Sequence, residues 1–463
     1  MSSAIFLHGF GVRYDLPISL ALYLYAAAGV VVVSFVMVAI FAGDRTGKAA
    51  VTYPRWPAPW LLALGRSRVV KVITGALGVL GLLTVIVTGL FGSTDPLHNP
   101  SEYLTWVYFW AGMVILSGLV GNLWTLFNPW TALYDLLTGG KPREPLLRLP
   151  EGLGVWPAVA VYFAFAFFEL GSGVANQPRV VGFLALAYTA LTLAGMAVFG
   201  RDRWLRQVEA FTVLFSIVGR FGPVETERDD AGHLRAVWLR PWGTGLLQPV
   251  KAGWDMVAFV ILMLSSLAFD GITAPTPAWT AFVSALQPWS AALGPLGSPV
   301  VKGLGLLLLS AGFLLIFVAV ARLMLYFGSS SGNELEAITA FALTLVPIAL
   351  VYNAAHNYSY LTIQAQGLFP LLADPLARGW HLLPTSGYQV SFALAGAATV
   401  WYVQVVLIVV GHVIAVYLAH LRAGERFKTA QQVLLSQYPM LVLMVLYTMT
   451  SLWILAQPIT REG

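Results

Sequence analysis

Ionisable side chains inside long apolar segments are the residues of this sequence that could do chemistry. Four stand out, namely Glu169 in FAFFELGSG, Asp270 in SSLAFDGI, and two histidines further along, His356 and His412. Because a charged group at membrane depth is costly, each of them is a candidate for a functional role. Carboxylates and imidazoles are suited to proton transfer, cation binding or metal ligation.

The two carboxylates lie toward the ends of their apolar segments. In that position Glu169 and Asp270 could meet water, or they could contribute to a cation-binding or proton-accepting cavity. The alternative is a plain ion pair with a nearby base, for which Arg179 and Lys302 are available. The sequence leaves these alternatives open.

His356 lies in VYNAAHNYSYL, the most polar stretch within any of the apolar segments. A lone histidine on an apolar helix is usually a satisfied core residue, but amide, hydroxyl and phenol groups surround this one, among them Asn353 and Tyr360. These three side chains, together with Glu169 and Asp270, could line a polar cavity near the middle of the membrane.

The histidines also suggest a metal or haem site. His356 and His412 lie on consecutive antiparallel helices, so their rings could converge on copper, zinc or a haem iron if they lie at similar depth. His420 follows His412 by eight residues, roughly 12 Å along a helix axis, which is too far for both to bind one ion. His8, before the first apolar segment, is a candidate metal ligand outside the bilayer.

Residue types exclude several other chemistries. The chain has no cysteine, so it cannot form a disulfide, ligate an iron–sulfur cluster or use a thiol nucleophile. The formal net charge is +5, but the basic residues are scattered through loops between apolar segments. That distribution indicates membrane topology rather than a nucleic-acid surface, so the expected partner is the lipid bilayer.

Several segments spread over nearly the whole chain carry a family resemblance: HGFGVRYDLPISLALYLY, NLWTLFNPW, SSLAFDG, HNYSYLTIQAQ with LLADPLARGW, WYVQVVLIVVGHVIAVYLAH and SQYPMLVLMVLYT. Together they resemble a group of multi-pass bacterial membrane proteins named fenitrothion hydrolase. The resemblance implies a membrane-bound activity on phosphotriester-like organophosphates, together with a periplasmic subunit. Metal-assisted hydrolysis of this kind usually requires two ions about 4 Å apart. Asn353 stands where related sequences are expected to carry a second histidine.

A membrane-embedded helix bundle must position these residues. Hydrophobic residues make up 58% of the chain and charged residues 10%, against about 25% charged residues in soluble domains. Many apolar runs approach the roughly 20 residues that cross a bilayer as a helix, and they lack the alternation of a transmembrane barrel. The sequence predicts a single all-α domain over 1–463 with about ten spans, near 17–42, 72–92, 104–127, 154–176, 179–200, 252–273, 303–327, 335–363, 395–421 and 431–456.

Lysine and arginine concentrate in alternate loops, which the positive-inside rule assigns to the cytoplasm. These loops are 45–71, 141–148, 201–251 and 422–428. The intervening loops, rich in Pro, Gly and Trp, are then exoplasmic, and so are both ends of the chain. We expect a bacterial inner membrane protein whose first span is an uncleaved anchor, because residues 1–15 lack a basic start and a small-residue cleavage site.

The longest cytoplasmic stretch, 201–251, is expected to contain two small elements. Apolar residues from Trp204 to Val218 recur at helical spacing between basic residues such as Arg206. This pattern is typical of a helix lying in the membrane interface. In ETERDDAGHLRAVWLR, which follows, residues 230–232 could close a small hairpin.

Three functions remain open at this point. The first is a membrane subunit with a metal or haem site at His356 and His412, which serves a periplasmic partner in a redox or hydrolytic complex. The second is a transporter of a small solute or ion with a polar, water-accessible cavity and no cofactor. The third is a structural subunit of a larger membrane complex. The preferred prediction combines the first and the third: a subunit of a membrane complex that contains a histidine-linked metal or haem site.

Overall fold

The computed structural model describes residues 14–16, 18–41, 52–141, 144–229, 233–273, 276–330, 332–393, 396–457 and 460–461. In chain order the helices are α1 (Leu20–Phe41), α2 (Pro59–Arg66), α3 (Arg68–Phe91), α4 (Pro100–Val120), α5 (Trp124–Phe127), α6 (Pro129–Thr138), α7 (Trp156–Leu170), α8 (Pro178–Phe199), α9 (Arg201–Gln207), α10 (Ala210–Val218), α11 (Trp254–Ile272), α12 (Pro277–Ala292), α13 (Gly297–Phe327), α14 (Glu334–His356), α15 (Ala365–Leu371), α16 (Ala397–Arg426) and α17 (Ala430–Ala456). The strands are β1 (Tyr14–Asp15), β2 (Trp56–Pro57), β3 (Val224–Arg228), β4 (Leu234–Leu239) and β5 (Thr460–Arg461).

Long apolar helices dominate this architecture. Among the described residues, nine helices are long and apolar enough to cross a membrane: α1, α3, α4, α8, α11, α13, α14, α16 and α17. Helices satisfy their own backbone hydrogen bonds, which a chain in hydrocarbon must do. The all-α, multi-pass membrane fold predicted from the sequence is confirmed.

Helix α7 is shorter, yet it also connects the two ends of the bundle. Just before it, the Val155 amide donates to Asp255 at the start of α11, at 2.6 Å. Just after it, the Ala175 carbonyl accepts from the Trp106 indole near the start of α4, at 3.2 Å. Its 15 residues extend roughly 22 Å. With α7 included, the described chain crosses the bundle ten times, as the sequence predicted.

Both ends of the described chain lie on one face of the bundle. Strand β1 pairs in parallel with β5, Tyr14 opposite Thr460 and Asp15 opposite Arg461. We call this end the loop face, because loops such as 92–99, 171–177 and 372–393 join helices there. The opposite end is the hairpin face.

A three-stranded sheet, in the order β2-β4-β3, marks the hairpin face. Strands β3 and β4 are antiparallel, which confirms the predicted hairpin, and its turn at 230–232 lies outside the described residues. The buried guanidinium of Arg240 holds the hairpin by an ion pair with Glu225 at 2.9 Å. Arg55, next to β2, binds the same carboxylate at 2.9 Å.

The segment predicted as one interfacial helix is two short helices, α9 and α10. Glu209 separates them and caps α10, accepting hydrogen bonds from the Phe211 and Thr212 amides. Trp204 is buried and stacks on Phe199, with ring centroids 5.8 Å apart, whereas Arg206 is exposed. The apolar side chains of α10 are buried inside the protein, so the helical spacing of the segment reflects protein packing.

Helix burial separates the centre of the bundle from its rim. In the most apolar 18-residue stretch of α14, 83% of the residues are buried within the protein, and in that of α11 72% are buried. The corresponding value for α3 is 11%, as expected for a helix that faces lipid. The two central helices are those that carry Asp270 and His356.

Candidate functional site

A carboxylate and an imidazole meet inside the bundle, near the loop face. The Oδ2 atom of Asp270 lies 2.6 Å from Nε2 of His356. Asp270 is close to the end of α11 and His356 ends α14, so two central helices that run in the same direction bring these groups to the same depth. The His356 side chain is 7% exposed and that of Asp270 20%. The pair is therefore largely enclosed and open to a limited degree.

Tyr352 covers this pair on one side. Its ring stacks on the imidazole of His356, with centroids 6.0 Å apart and planes 10° apart. Gly271 makes room for it, because a Cβ atom there would lie 2.8 Å from the Tyr352 hydroxyl and would also collide with Ile454. Within the described chain the buried Tyr352 hydroxyl has no hydrogen-bond partner. The Tyr352 hydroxyl is thus available to donate a hydrogen bond next to the Asp270–His356 pair.

A second carboxylate, Glu169, lies close to the first. It comes from the end of α7 and is near enough to Asp270 for their charges to interact. The indole of Trp110, on α4, also interacts with Glu169. The phenol of Tyr360, just after α14, interacts electrostatically with both carboxylates. The structure thus brings together four of the residues that the sequence singled out.

Glu102 is a third carboxylate of this group, which was not predicted from the sequence. Its side chain is buried near the start of α4, where Oε2 accepts a hydrogen bond from the Trp106 indole at 3.0 Å. Its Oε1 is buried without a hydrogen-bond partner in the described part of the chain. Tyr360 connects it to the others, because Glu102 acts electrostatically on that phenol. We refer to Glu102, Glu169, Asp270, His356 and Tyr360 as the acidic cluster.

A local sequence signal could have revealed Glu102. The stretch NPSE places Asn99 as a helix cap, Pro100 as the first helical residue and Glu102 as the third, a known helix-start pattern. In the structure the Asn99 side chain accepts from the Ser101 amide at 2.9 Å, so the helix does start there. The prediction began this span at residue 104 and therefore assigned Glu102 to a loop.

Two π-helical segments flank the acidic cluster. Residues Tyr103–Met113 of α4 and Tyr360–Gln364 after α14 both have this wider winding. The π-helical winding is rare in proteins and frequently occurs at functional sites. Here they place Trp106, Trp110 and Tyr360 against the three carboxylates.

A narrow internal cavity lies next to the cluster, toward the hairpin face. Its polar lining comes from Trp110, Tyr162 and Asn353, and its apolar walls include Leu214 and Val218 of α10. The space open to a water-sized sphere is about 10 Å³, which is room for roughly one water molecule. The buried Oδ1 of Asn353 has no hydrogen-bond partner among the described residues.

His412 lies apart from this site. The amide of Gln404 donates to the Ala355 carbonyl at 3.1 Å, so Gln404 marks the depth of His356 on α16. His412 follows eight residues later, roughly 12 Å closer to the hairpin face. The structure therefore does not bring the two histidines together. Nor does any group of three His, Asp or Glu side chains in the described chain have the geometry to hold a metal ion.

Two candidate ligands remain, His412 and His8. His412 donates from Nδ1 to the Ile408 carbonyl at 2.8 Å, and its buried Nε2 has no partner in the described regions. His8 lies outside the described residues. One copper, zinc or haem iron shared by His356 and His412 therefore does not fit the described donors. A metal or haem bound through the free Nε2 of His412 stays a prediction.

Direct comparison with known proteins gives no match. No family model, no characterised protein and no solved structure matches it. The resemblance to fenitrothion hydrolase, with its periplasmic subunit, stays a prediction from sequence segments.

Proposed function

We propose that this protein is an ion-coupled membrane transporter in which the acidic cluster binds a proton or a small cation. The observation that carries the proposal is the 2.6 Å contact between Asp270 and His356, with Glu169 within electrostatic range. Chains of Asp, Glu and His at membrane depth are typical of proton relays in pumps and transporters.

The composition of the cluster supports ion binding. Among the described residues the acidic cluster contains three carboxylates and a single imidazole, so carboxylates predominate in it. Like charges at short range in a low-dielectric interior strongly disfavour simultaneous ionisation. We infer that the cluster exchanges protons or a cation as a coupled unit rather than residue by residue.

The size of the neighbouring cavity is consistent with this proposal. Space for about one water suits a proton or a small ion. The apolar wall formed by Leu214 and Val218 closes the cavity on the side of α10. We infer that the conformation described here exposes the site toward the loop face, and that passage to the hairpin face requires α10 to move.

Ion flux into proteoliposomes tests this proposal. Purified protein would be reconstituted, and flux under imposed proton, sodium or potassium gradients compared with protein-free vesicles. Asp270→Asn and Glu169→Gln should abolish the flux. Glu334→Gln should not, because Glu334 is an exposed carboxylate paired with Arg322 at the hairpin face. Flux that is unchanged in both cluster variants would contradict the proposal.

A metal or haem protein is the second candidate, and one observation favours it. In His412 the hydrogen bond from Nδ1 leaves Nε2 bare and buried, which is the state of an imidazole oriented for ligation. Metal analysis and an ultraviolet–visible spectrum of protein purified gently from its membrane test this directly. Stoichiometric copper or zinc, or a haem Soret band, that disappears in His412→Leu would support it.

Sidedness follows from the distribution of cations. Basic residues of the described chain, such as Arg66, Arg201, Arg235 and Arg426, lie at the hairpin face or on the loops that join it. By the positive-inside rule we place the hairpin face in the cytoplasm of a bacterial inner membrane. The acidic cluster then receives its ion from the exoplasmic side.

A further inference from the structure

Three arginines converge on one turn at the hairpin face. Arg220 donates to the carbonyls of Gly245 and Gln248, at 3.5 Å each. Arg422, from the end of α16, donates to Leu246 at 3.1 Å and also to Gln248, at 3.4 Å. Two guanidinium groups therefore meet at a single carbonyl oxygen.

Arg240 packs behind them. Its Nη2 donates to the Arg220 carbonyl at 3.1 Å. Gly245 lies directly against its guanidinium, where a Cβ atom would collide with it. The close backbone approach at Gly245 fixes the turn over the arginines. We call Arg220, Arg240 and Arg422 the arginine cluster.

The charges of the arginine cluster do not balance. Arg240 pairs with Glu225 at 2.9 Å and Arg422 with Glu425 at 2.7 Å. Arg220 has no carboxylate within ion-pair distance among the described residues, and its two carbonyl contacts are long. Among the described residues one guanidinium charge therefore has no carboxylate partner, and it lies at a partly buried position.

Hydrogen-bond donors of the cluster are also unused. The side chain of Arg422 is 11% exposed. Its Nε is buried and has no hydrogen-bond partner in the described part of the chain. Only the Nη1 atom of Arg220 makes hydrogen bonds there. Burial, together with repulsion from Arg240 and Arg422, lowers the pKa of Arg220. An anion at this position would use the open donors and relieve the repulsion.

We propose that the arginine cluster binds a phosphate group, supplied by the headgroup of an anionic phospholipid. Arginine forks match phosphate geometry in a bidentate manner, and basic pockets between spanning helices bind such headgroups. Trp242 favours the lipid as the source of the phosphate. It is 57% exposed, and its indole donates to the Leu119 carbonyl at the end of α4, a position typical of the aromatic belt at the membrane surface.

Lipid binding to the whole protein tests this site independently of ion transport. Delipidated protein would be titrated with dioleoyl-phosphatidylglycerol, with dioleoyl-phosphatidylcholine as the neutral control, while bound lipid is counted by native mass spectrometry and thermal stability is followed. Arg220→Gln should weaken phosphatidylglycerol binding about tenfold or more, because a charge-assisted hydrogen bond is lost. Arg235→Gln is the matched control, since it removes an exposed charge from the same hairpin.

Each outcome decides the proposal. Loss of phosphatidylglycerol binding in Arg220→Gln alone supports it, and an equal loss in Arg235→Gln would show diffuse surface attraction instead. Inorganic phosphate that stabilises the protein as strongly as the lipid would assign the site to free phosphate and overturn the lipid source. If Arg220→Gln does not fold, Arg220→Lys decides, because it keeps the charge and loses the fork. Undiminished lipid binding in that variant would refute the site.

Discussion

The contact between Asp270 and His356 should behave as a charge-assisted pair, and a double-mutant cycle measures it. The variants are Asp270→Asn, His356→Gln and the double variant. Both side chains keep other contacts, so each single variant mixes several losses, whereas the cycle isolates the pair. At 2.6 Å and with little exposure, the coupling energy should be about 1.5–3 kcal/mol, the range for hydrogen bonds to charged groups.

The unfolding free energy of the four proteins in bicelles, obtained by titration with a denaturing detergent, provides the assay. Neutral side-chain hydrogen bonds inside a membrane protein contribute about 0.6 kcal/mol on average, so the expected coupling is clearly above that value. Asp270→Glu, which keeps the charge, should retain part of the coupling. A coupling energy near or below about 0.6 kcal/mol would show that the two groups are neutral neighbours, and the reasoning about the acidic cluster would fail.

Three further results are expected. Asn353→Leu should raise the free energy of unfolding by about 1 kcal/mol, since it removes a buried acceptor that has no partner among the described residues; destabilisation would instead reveal a tightly held water. It should also abolish ion flux, because Asn353 lines the cavity beside the acidic cluster. The backbone amides of Arg378 and Gly379 donate to the Asp374 carboxylate and hold its pKa below the ordinary value. The protection of these two amides from hydrogen exchange should therefore persist at neutral pH and disappear only as pH falls through that lowered value. Hydrogen exchange by mass spectrometry checks this, and Asp374→Asn should show fast exchange at neutral pH. Because the chain has no cysteine, a single cysteine at Thr94 should react with an impermeant reagent in whole cells while one at Arg235 does not; the reverse pattern would invert the proposed topology.

The sequence predicted the membrane fold well for a physical reason. A helix must satisfy its own backbone in lipid, so an uninterrupted apolar run such as Leu304 to Ala321 determines a span almost by itself. The β3–β4 hairpin was equally local, because a short polar turn separates two strand-forming segments. Helix α10 was not predicted correctly, since an apolar face can pack against lipid or protein and the helical spacing is identical in both cases.

The site itself depended on depth and distant packing, which sequence shows poorly. Asp270, Glu169 and His356 were each identified because ionisable groups in apolar segments are rare. Their mutual proximity was not predicted, because it depends on the packing of helices α7, α11 and α14, which are distant in the chain. For His412 the sequence predicted a proximity that the structure does not have. His356 and His412 lie on consecutive spanning helices, but the packing of α16 against α14 places them at different depths in the membrane.

Infrared difference spectroscopy can establish whether the acidic cluster takes up protons. Spectra of the reconstituted protein at low and high pH would be subtracted, and the carbonyl band of protonated carboxyl groups compared between wild type, Asp270→Asn, Glu169→Gln and the exposed-site control Glu334→Gln. If the carboxyl groups of the cluster titrate, the wild-type protein and the control Glu334→Gln should show the same carbonyl band. In Asp270→Asn and in Glu169→Gln this band should be lost or shifted. A band that is identical in all four proteins would contradict an ion-binding role for the cluster.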